Sequence, residues 1–200
     1  MNEKEKELFL KSSEFFLQNG IKSLTMNDIA SKLGISKKTL YQYVSDKNDL
    51  VKQCISLHIN SNECDMKAVC EESQNAIEEL VNMSKVAGEI MSKMHPSILF
   101  DLQKYHPEAW ALVREFEDHT ILELTKTNLL KGIEQGLYRK EMNVEIIASL
   151  YVSVVQSIFS NANPTKQNVS LTEQYLEIFN YHIRGIANNN GIKLINQYLN

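Results

Sequence analysis

Leu8, Phe9, Phe15 and Phe16, with the small Ser12 among them, recur at helical spacing and predict a first helix from about Glu3 to Gln18. Asn19-Gly20 ends it, Gly20 being suited to a left-handed cap. Thr25 stands as the N-cap of a second helix with Asp28 at its third position, an approximate capping box. Ile29, Ala30 and Leu33 form the inner face of that helix, and Gly34 stops it. Ser36 caps a third helix, Lys37 to Tyr43, which turns Leu40 and Val44 inward. Ser45-Asp46 caps a fourth, with Asp49 favourable in its first turn, and Leu50, Cys54, Leu57 and Ile59 carry it onward.

The same period continues to the C-terminus. Asn60 to Asp65 is polar, and suits a kink, a break or an exposed surface equally. Residues 71–94 predict another helix through Ile77, Leu80, Val81, Val86, Ile90 and Met91. Pro96 and Pro107 each suit the first turn of a new helix, a short one over 97–105 and a long one from Glu108 to about Glu134. Asn143 caps a helix through Ile146, Ile147, Leu150, Tyr151, Val154, Val155, Ile158 and Phe159, apolar on more than one face. Residues 161–170 read as a polar loop around Pro164. A last major helix spans roughly 171–187, and 192–199 forms a tail that packs back on the body.

Scarce glycine and proline, seven and three in 200 residues, reinforce an all-α reading. The net charge of −4 argues against a nucleic-acid partner until its distribution is read. Residues 1–52 hold nine lysines and seven acids, a balance of +2, which leaves −6 for the remainder. Between Ile21 and Lys38 stand four lysines and one aspartate. Cys54, Cys64 and Cys70 have no paired zinc spacing and read as reduced thiols, mostly core or half-buried. The N-terminus lacks the uninterrupted apolar stretch of a signal peptide, and no segment is long enough to span a bilayer, so a cytoplasmic location is expected.

The second and third helices meet the needs of a helix-turn-helix. Ala30 permits a close crossing, Gly34 accepts positive φ, and Ile29, Leu33, Ile35, Leu40 and Val44 set the crossing angle. The third helix would then enter the major groove. A helical hairpin with no nucleic-acid role is the bland alternative.

Phe16, Gly20, Thr25, Ile29-Ala30, Leu33-Gly34-Ile35-Ser36, Thr39-Leu40-Tyr41, Lys47 and Leu50 together resemble the N-terminal domain of the TetR family of transcriptional regulators over roughly residues 8–52. The resemblance implies a three-helix DNA-binding head at 1–52. It also implies an all-helical effector-binding and homodimerisation domain at 53–200. Carried over by position, Thr25, Tyr41, Tyr43 and Lys47 match phosphate-contacting places, and Lys37, Lys38, Thr39 and Gln42 match places at or near base edges. Lys38 stands where a small residue is common, and Val44 where phenylalanine is usual. A lysine suits guanine O6 and N7, and a glutamine pairs bidentately with adenine.

For the body, the resemblance implies a dimer interface drawn from the last two major helices. Its pool is Ile147, Tyr151, Val154, Ile158, Leu171, Tyr175, Ile178, Phe179 and His182. The dimer would require a roughly palindromic operator. Met83, Ile90, Met94, Leu99, Phe100, Tyr105, Trp110, Phe116 and Tyr151 are the candidates for lining a largely apolar effector pocket. Glu115, His119 and Glu123 are spaced i, i+4, i+8, but exposed helices place acids so routinely; no metal and no cofactor is expected. Tyr105 to Trp110, and Gly132 to Leu137 with Arg139, are similar to body segments of a poorly characterised branch of these regulators.

No nucleophile–base arrangement is found, so an enzyme is not expected. The leading expectation is a repressor released from its operator by a small organic ligand. An activator or co-repressor-dependent regulator is the alternative within the class, and a helical interaction protein the alternative outside it.

Overall fold

The computed structural model describes residues 1–160 and 169–199. Among them the secondary structure is helical, apart from one isolated bridge between Tyr138 and Ala187. The polar loop read at 161–170 lies outside the described residues for 161–168.

The helices are α1 (Glu3–Asn19), α2 (Met26–Lys32), α3 (Lys37–Leu40), α4 (Lys47–Glu72), α5 (Ala76–Lys93), α6 (Ile98–Tyr105), α7 (Pro107–Glu115), α8 (Leu122–Glu134), α9 (Val144–Ser160), α10 (Leu171–Ile186) and α11 (Asn189–Leu199). A π-helical turn, Phe116–Ile121, joins α7 to α8, so the long helix read from the sequence is one helical run with a widened middle. Pro107 opens α7 as expected, whereas Pro96 lies in the turn before α6. α4 runs unbroken through Asn60–Asp65, whose polar side chains are mostly exposed, and the break falls at 73–75 instead. There Asn75 caps α5 by accepting from the Ile77 and Glu78 amides. Residues 71 and 72 therefore close α4, and do not open α5 as the periodicity suggested.

The chain divides into two compact units. The first comprises Met1–Asn62 and Lys93–Glu115. Its core gathers Phe9, Phe16, Ile21, Ile29, Leu40, Leu50 and Val51 with Ile98, Leu102 and Ala109. Full burial of such side chains stabilises by about 1.5–3 kcal/mol each. The head expected at 1–52 lies wholly inside this unit, and α6 and α7 complete its core.

The second unit comprises Glu63–Ser92 with residues 116–160 and 169–199. Ile77, Val81, Leu129, Tyr138, Ala148, Phe179, Ile183 and Ile195 are its inner residues. The tail forms α11, and Ile195 is fully buried, so it does pack back. Asn188 starts it by accepting from the Asn190 and Gly191 amides. Glu79 is buried beside Lys131 and accepts from Asn128 at 2.9 Å, while the Tyr138 hydroxyl donates to Asn128 at 3.0 Å. Every member of that network is paired, which is the condition for burying a charge.

Candidate DNA-binding surface

The first unit builds its surface from caps. The Thr25 hydroxyl accepts from the Asp28 amide at 3.2 Å, and Asp28 accepts in return from the Thr25 amide at 2.8 Å. The reciprocal box read from the sequence is complete, and fixes where α2 begins. Gly34 takes φ +70°, and the Ile35 amide returns to the Ala30 carbonyl at 3.0 Å, closing the turn between α2 and α3. Ser36 then caps α3 by accepting from the Thr39 amide at 3.0 Å.

α3 has only four residues, shorter than the Lys37–Tyr43 expected. The Gln42 and Tyr43 amides bond three residues back, to Thr39 and Leu40, so the chain tightens as it leaves the helix. Leu40 is fully buried and Val44 nearly so, as the inward set requires. Lys37, Lys38, Tyr41 and Gln42 are exposed, Thr39 and Tyr43 half-buried, and Thr25 exposed. The Lys37 ammonium lies 5.8 Å from the Tyr41 ring centre, a cation–π approach that biases both side chains.

Lys47 is placed differently from a free phosphate-seeking cation. Its ammonium donates to the carbonyls of Ile21 and Leu24, and burial lowers its pKa against the opposing pull of Asp101 and Asp28. It clasps the turn between α1 and α2. Asp101 of α6, almost fully buried, accepts from the Ile21 amide at 3.1 Å, the Lys22 amide at 2.9 Å and the Ser97 hydroxyl at 3.2 Å. Gly20 adopts φ +78° and ψ 159°, a glycine-only extended conformation and not the left-handed helical cap expected. A Cβ there would collide with Ser97. His106, also buried, meets Asn48 at 2.7 Å through Nδ1, and burial lowers its pKa.

Asp101 escaped the sequence reading. A signal was present: Asp101 shares the apolar face of Ile98 and Leu102, and an acid there demands a partner.

The other expected site residues are dispersed. Met94 and Trp110 pack against the first unit's core, Leu99 is buried, and Phe100 and Tyr105 reach that unit's surface. Met83, Ile90, Phe116 and Tyr151 belong to the second unit; the first three are half-buried, and Tyr151 is buried, stacked on His182 at 4.0 Å between ring centres. An open cavity of about 510 Å³ in the second unit is lined by Ser157, Ile158, Val169, Glu173, Gln174, Glu177 and Ile178, none of them in the expected effector set.

Of the expected interface residues, Ile158, Tyr175 and Phe179 are spent on the protomer's own cores. Ile147, Leu171, Ile178 and His182 are half-buried, and Val154 is exposed. On α9 the apolar side chains left open are Ile146 (63% exposed), Leu150 (56%) and Val154 (37%), and on α10 they are Leu176 (40%) and Tyr181 (84%). Glu115, His119 and Glu123 are all exposed, and the π turn between them breaks the register that would align them. No three metal-ligating side chains gather among the described residues. Cys54 is buried, its thiol pushed up to about 12 by burial, while Cys70 is half-buried and Cys64 exposed. No helix among the described residues is long and apolar enough to cross a membrane.

Residues 11–54 match the family described as bacterial regulatory proteins, tetR family. Over 186 residues the chain is 27% identical to the uncharacterised HTH-type transcriptional regulator YvaF of Bacillus subtilis, covering 92% of this chain and 95% of that one. It is 21% identical over 154 residues to the HTH-type transcriptional repressor KstR2 of Mycobacterium tuberculosis, covering 74% and 75%. The structure of KstR2, a ketosteroid transcriptional regulator, is similar with a TM-score of 0.58 at 15% identity, over 94% of this chain and 97% of that chain. A transcriptional regulator from Saccharomonospora viridis, solved in complex with choline, reaches a TM-score of 0.73 at 14% identity over 94% and 100%. The braced helix-turn-helix and the match of YvaF along nearly the whole chain lead to one assignment. Residues 11–54 carry a DNA-binding head of the TetR type, and the chain is similar along nearly its whole length to a transcriptional regulator.

Proposed function

We propose that the protein is a homodimeric repressor that occupies a palindromic operator and leaves it when a small, largely apolar molecule binds the body. The observation that carries the reading is the solvent-facing row Lys37, Lys38 and Gln42 on α3 and the turn that leaves it, within a head whose 21–24 turn is held by Lys47 and Asp101. Lys37, Lys38, Thr39 and Gln42 read bases, while Thr25, Tyr41 and Tyr43 position the backbone. Lys47 acts chiefly by holding the 21–24 turn in place.

Two heads are held at one spacing by pairing the open α9 stripe Ile146, Leu150 and Val154 with Tyr181 and its copies across a two-fold axis. Repression is supported by the name of the KstR2 relative, and an apolar effector by the ketosteroid in the description of its structure. Release is a shift between DNA-competent and incompetent arrangements, driven by the ligand's unequal affinity for the two.

The test is a mobility shift on the DNA upstream of the protein's own gene, with excess random competitor. A specific, competitor-resistant complex is expected. Binding no tighter than to random duplex would defeat the operator reading. Calorimetric screening of sterol-like and fatty compounds, with quaternary amines as the contrasting set, identifies the effector class. A quaternary amine as the sole releasing ligand would overturn the apolar reading.

A further inference from the structure

The first unit carries a cationic aromatic cluster away from α3. The Lys22 ammonium donates to the Tyr105 hydroxyl at 3.0 Å and lies 4.8 Å from that ring's centre. The Lys104 ammonium lies 5.5 Å from the same ring centre and 5.2 Å from that of Phe100. Phe100 and Tyr105 meet edge to face at 6.3 Å, which holds the platform. Both lysines are exposed.

Two ammonium groups converging on one phenol raise the local positive potential and favour an anion there. Asp101, the acid on the same helix as Lys104, has its Oδ2 engaged by two amides and a hydroxyl, and is buried. Among the described residues no ion pair joins either lysine to a carboxylate. The Tyr105 hydroxyl accepts from Lys22 and can at the same time donate its own proton outward. The cluster therefore offers two ammonium groups and one O–H to a single anionic oxygen set.

We propose that Lys22, Lys104 and Tyr105 form a second phosphate clamp, which grips the duplex backbone beside the contacts made by the helix-turn-helix. It rests on the DNA-binding reading and extends it to α6. Continuity argues for the duplex as occupant. Lys22 lies three residues before Thr25, the cap of α2, on the turn whose carbonyls bind Lys47 and whose amides bind Asp101. A cation held so firmly next to a helix-turn-helix is preorganised for a ligand with a fixed position relative to that motif. A DNA backbone meets that condition.

The experiment compares the full chain with Lys22→Ala/Lys104→Ala and Lys22→Arg/Lys104→Arg, titrated onto random-sequence and upstream duplexes at several salt concentrations. The alanine pair is expected to weaken both duplexes alike and to lower the salt slope by up to about two units. The arginine pair is expected to restore the slope, because the charge and not the shape carries the contact. An unchanged slope in the alanine pair overturns the clamp while leaving DNA binding intact. Equal loss in the alanine and arginine pairs overturns it too, and makes the lysines staples for Tyr105. If the unmodified protein binds neither duplex, the clamp falls together with the reading on which it rests.

Discussion

Gln42 stands just past the last residue of α3, on a tightened turn, with its amide side chain exposed. A side chain placed to pair with a base edge acts on cognate DNA alone. Gln42→Ala is expected to cost roughly 1–3 kcal/mol on the operator and far less on random duplex, read by competitive titration; equal losses on both would move Gln42 to the backbone set. Lys47 behaves otherwise. Its ammonium serves two backbone carbonyls, so Lys47→Ala leaves them unpaired and is expected to lower stability by about 1–3 kcal/mol. The loss is read by thermal unfolding without DNA, and a variant as stable as the parent would return Lys47 to the free phosphate contacts. His182 supplies a pH signature. Burial depresses its pKa to about 4, and its Nε2 has no partner. The unfolded chain therefore binds the proton first, and stability is full above about 6.5, the ordinary histidine value. It declines as the pH falls from there towards about 4. The melting temperature of the parent is expected to fall across that window more steeply than that of His182→Gln, and parallel curves would exclude the effect.

At the scale of elements, caps and turns decide the shape of the head. Thr25 and Asp28 exchange hydrogen bonds at the start of α2, a helix of seven residues with little cooperativity of its own. Thr25→Ala is expected to cost about 1 kcal/mol of stability. The sequence carried this box because capping is local: both partners lie within three residues. It also carried Ser36 and Asn143 for the same reason. It did not carry the π turn at Phe116–Ile121 or the early end of α3, because neither is demanded by spacing. Of the three readings open for 60–65, the exposed surface is the one found, since polar residues on an exposed face do not stop a helix, whereas the Asn75 cap starts a new one after 73–75.

For the whole molecule, an exposed apolar stripe needs a cover. Ile146, Leu150 and Val154 recur every four residues and stay open in the protomer. Leu150→Lys is expected to shift the protein from dimer to monomer in sedimentation equilibrium at micromolar concentration, with the helical signal unchanged. Monomers in the unmodified protein, or dimers in the variant, would place the interface elsewhere. Which apolar residues face a partner was not legible in the periodicity, because α9 is apolar on several faces and the pattern does not say which one a neighbour already covers. Ile158, Tyr175 and Phe179 are the instances where the protomer's own core claims a side chain that the pattern alone left open to a partner.

The linear chain by itself determined what depends on near neighbours: helical periods, caps at Thr25 and Ser36, the glycine turn at Gly34, and the combined pattern that marks a TetR-type head. These rest on backbone geometry and hydrogen bonds spanning a few residues. Only the tertiary structure decided what depends on residues far apart. Asp101 reaches back eighty positions to the Ile21 amide, Lys47 turns from the surface to the 21–24 carbonyls, and Lys22 finds Lys104 and Tyr105. Such pairings arise when packing brings a buried polar group to the partner that satisfies it, and no spacing along the chain encodes that distance.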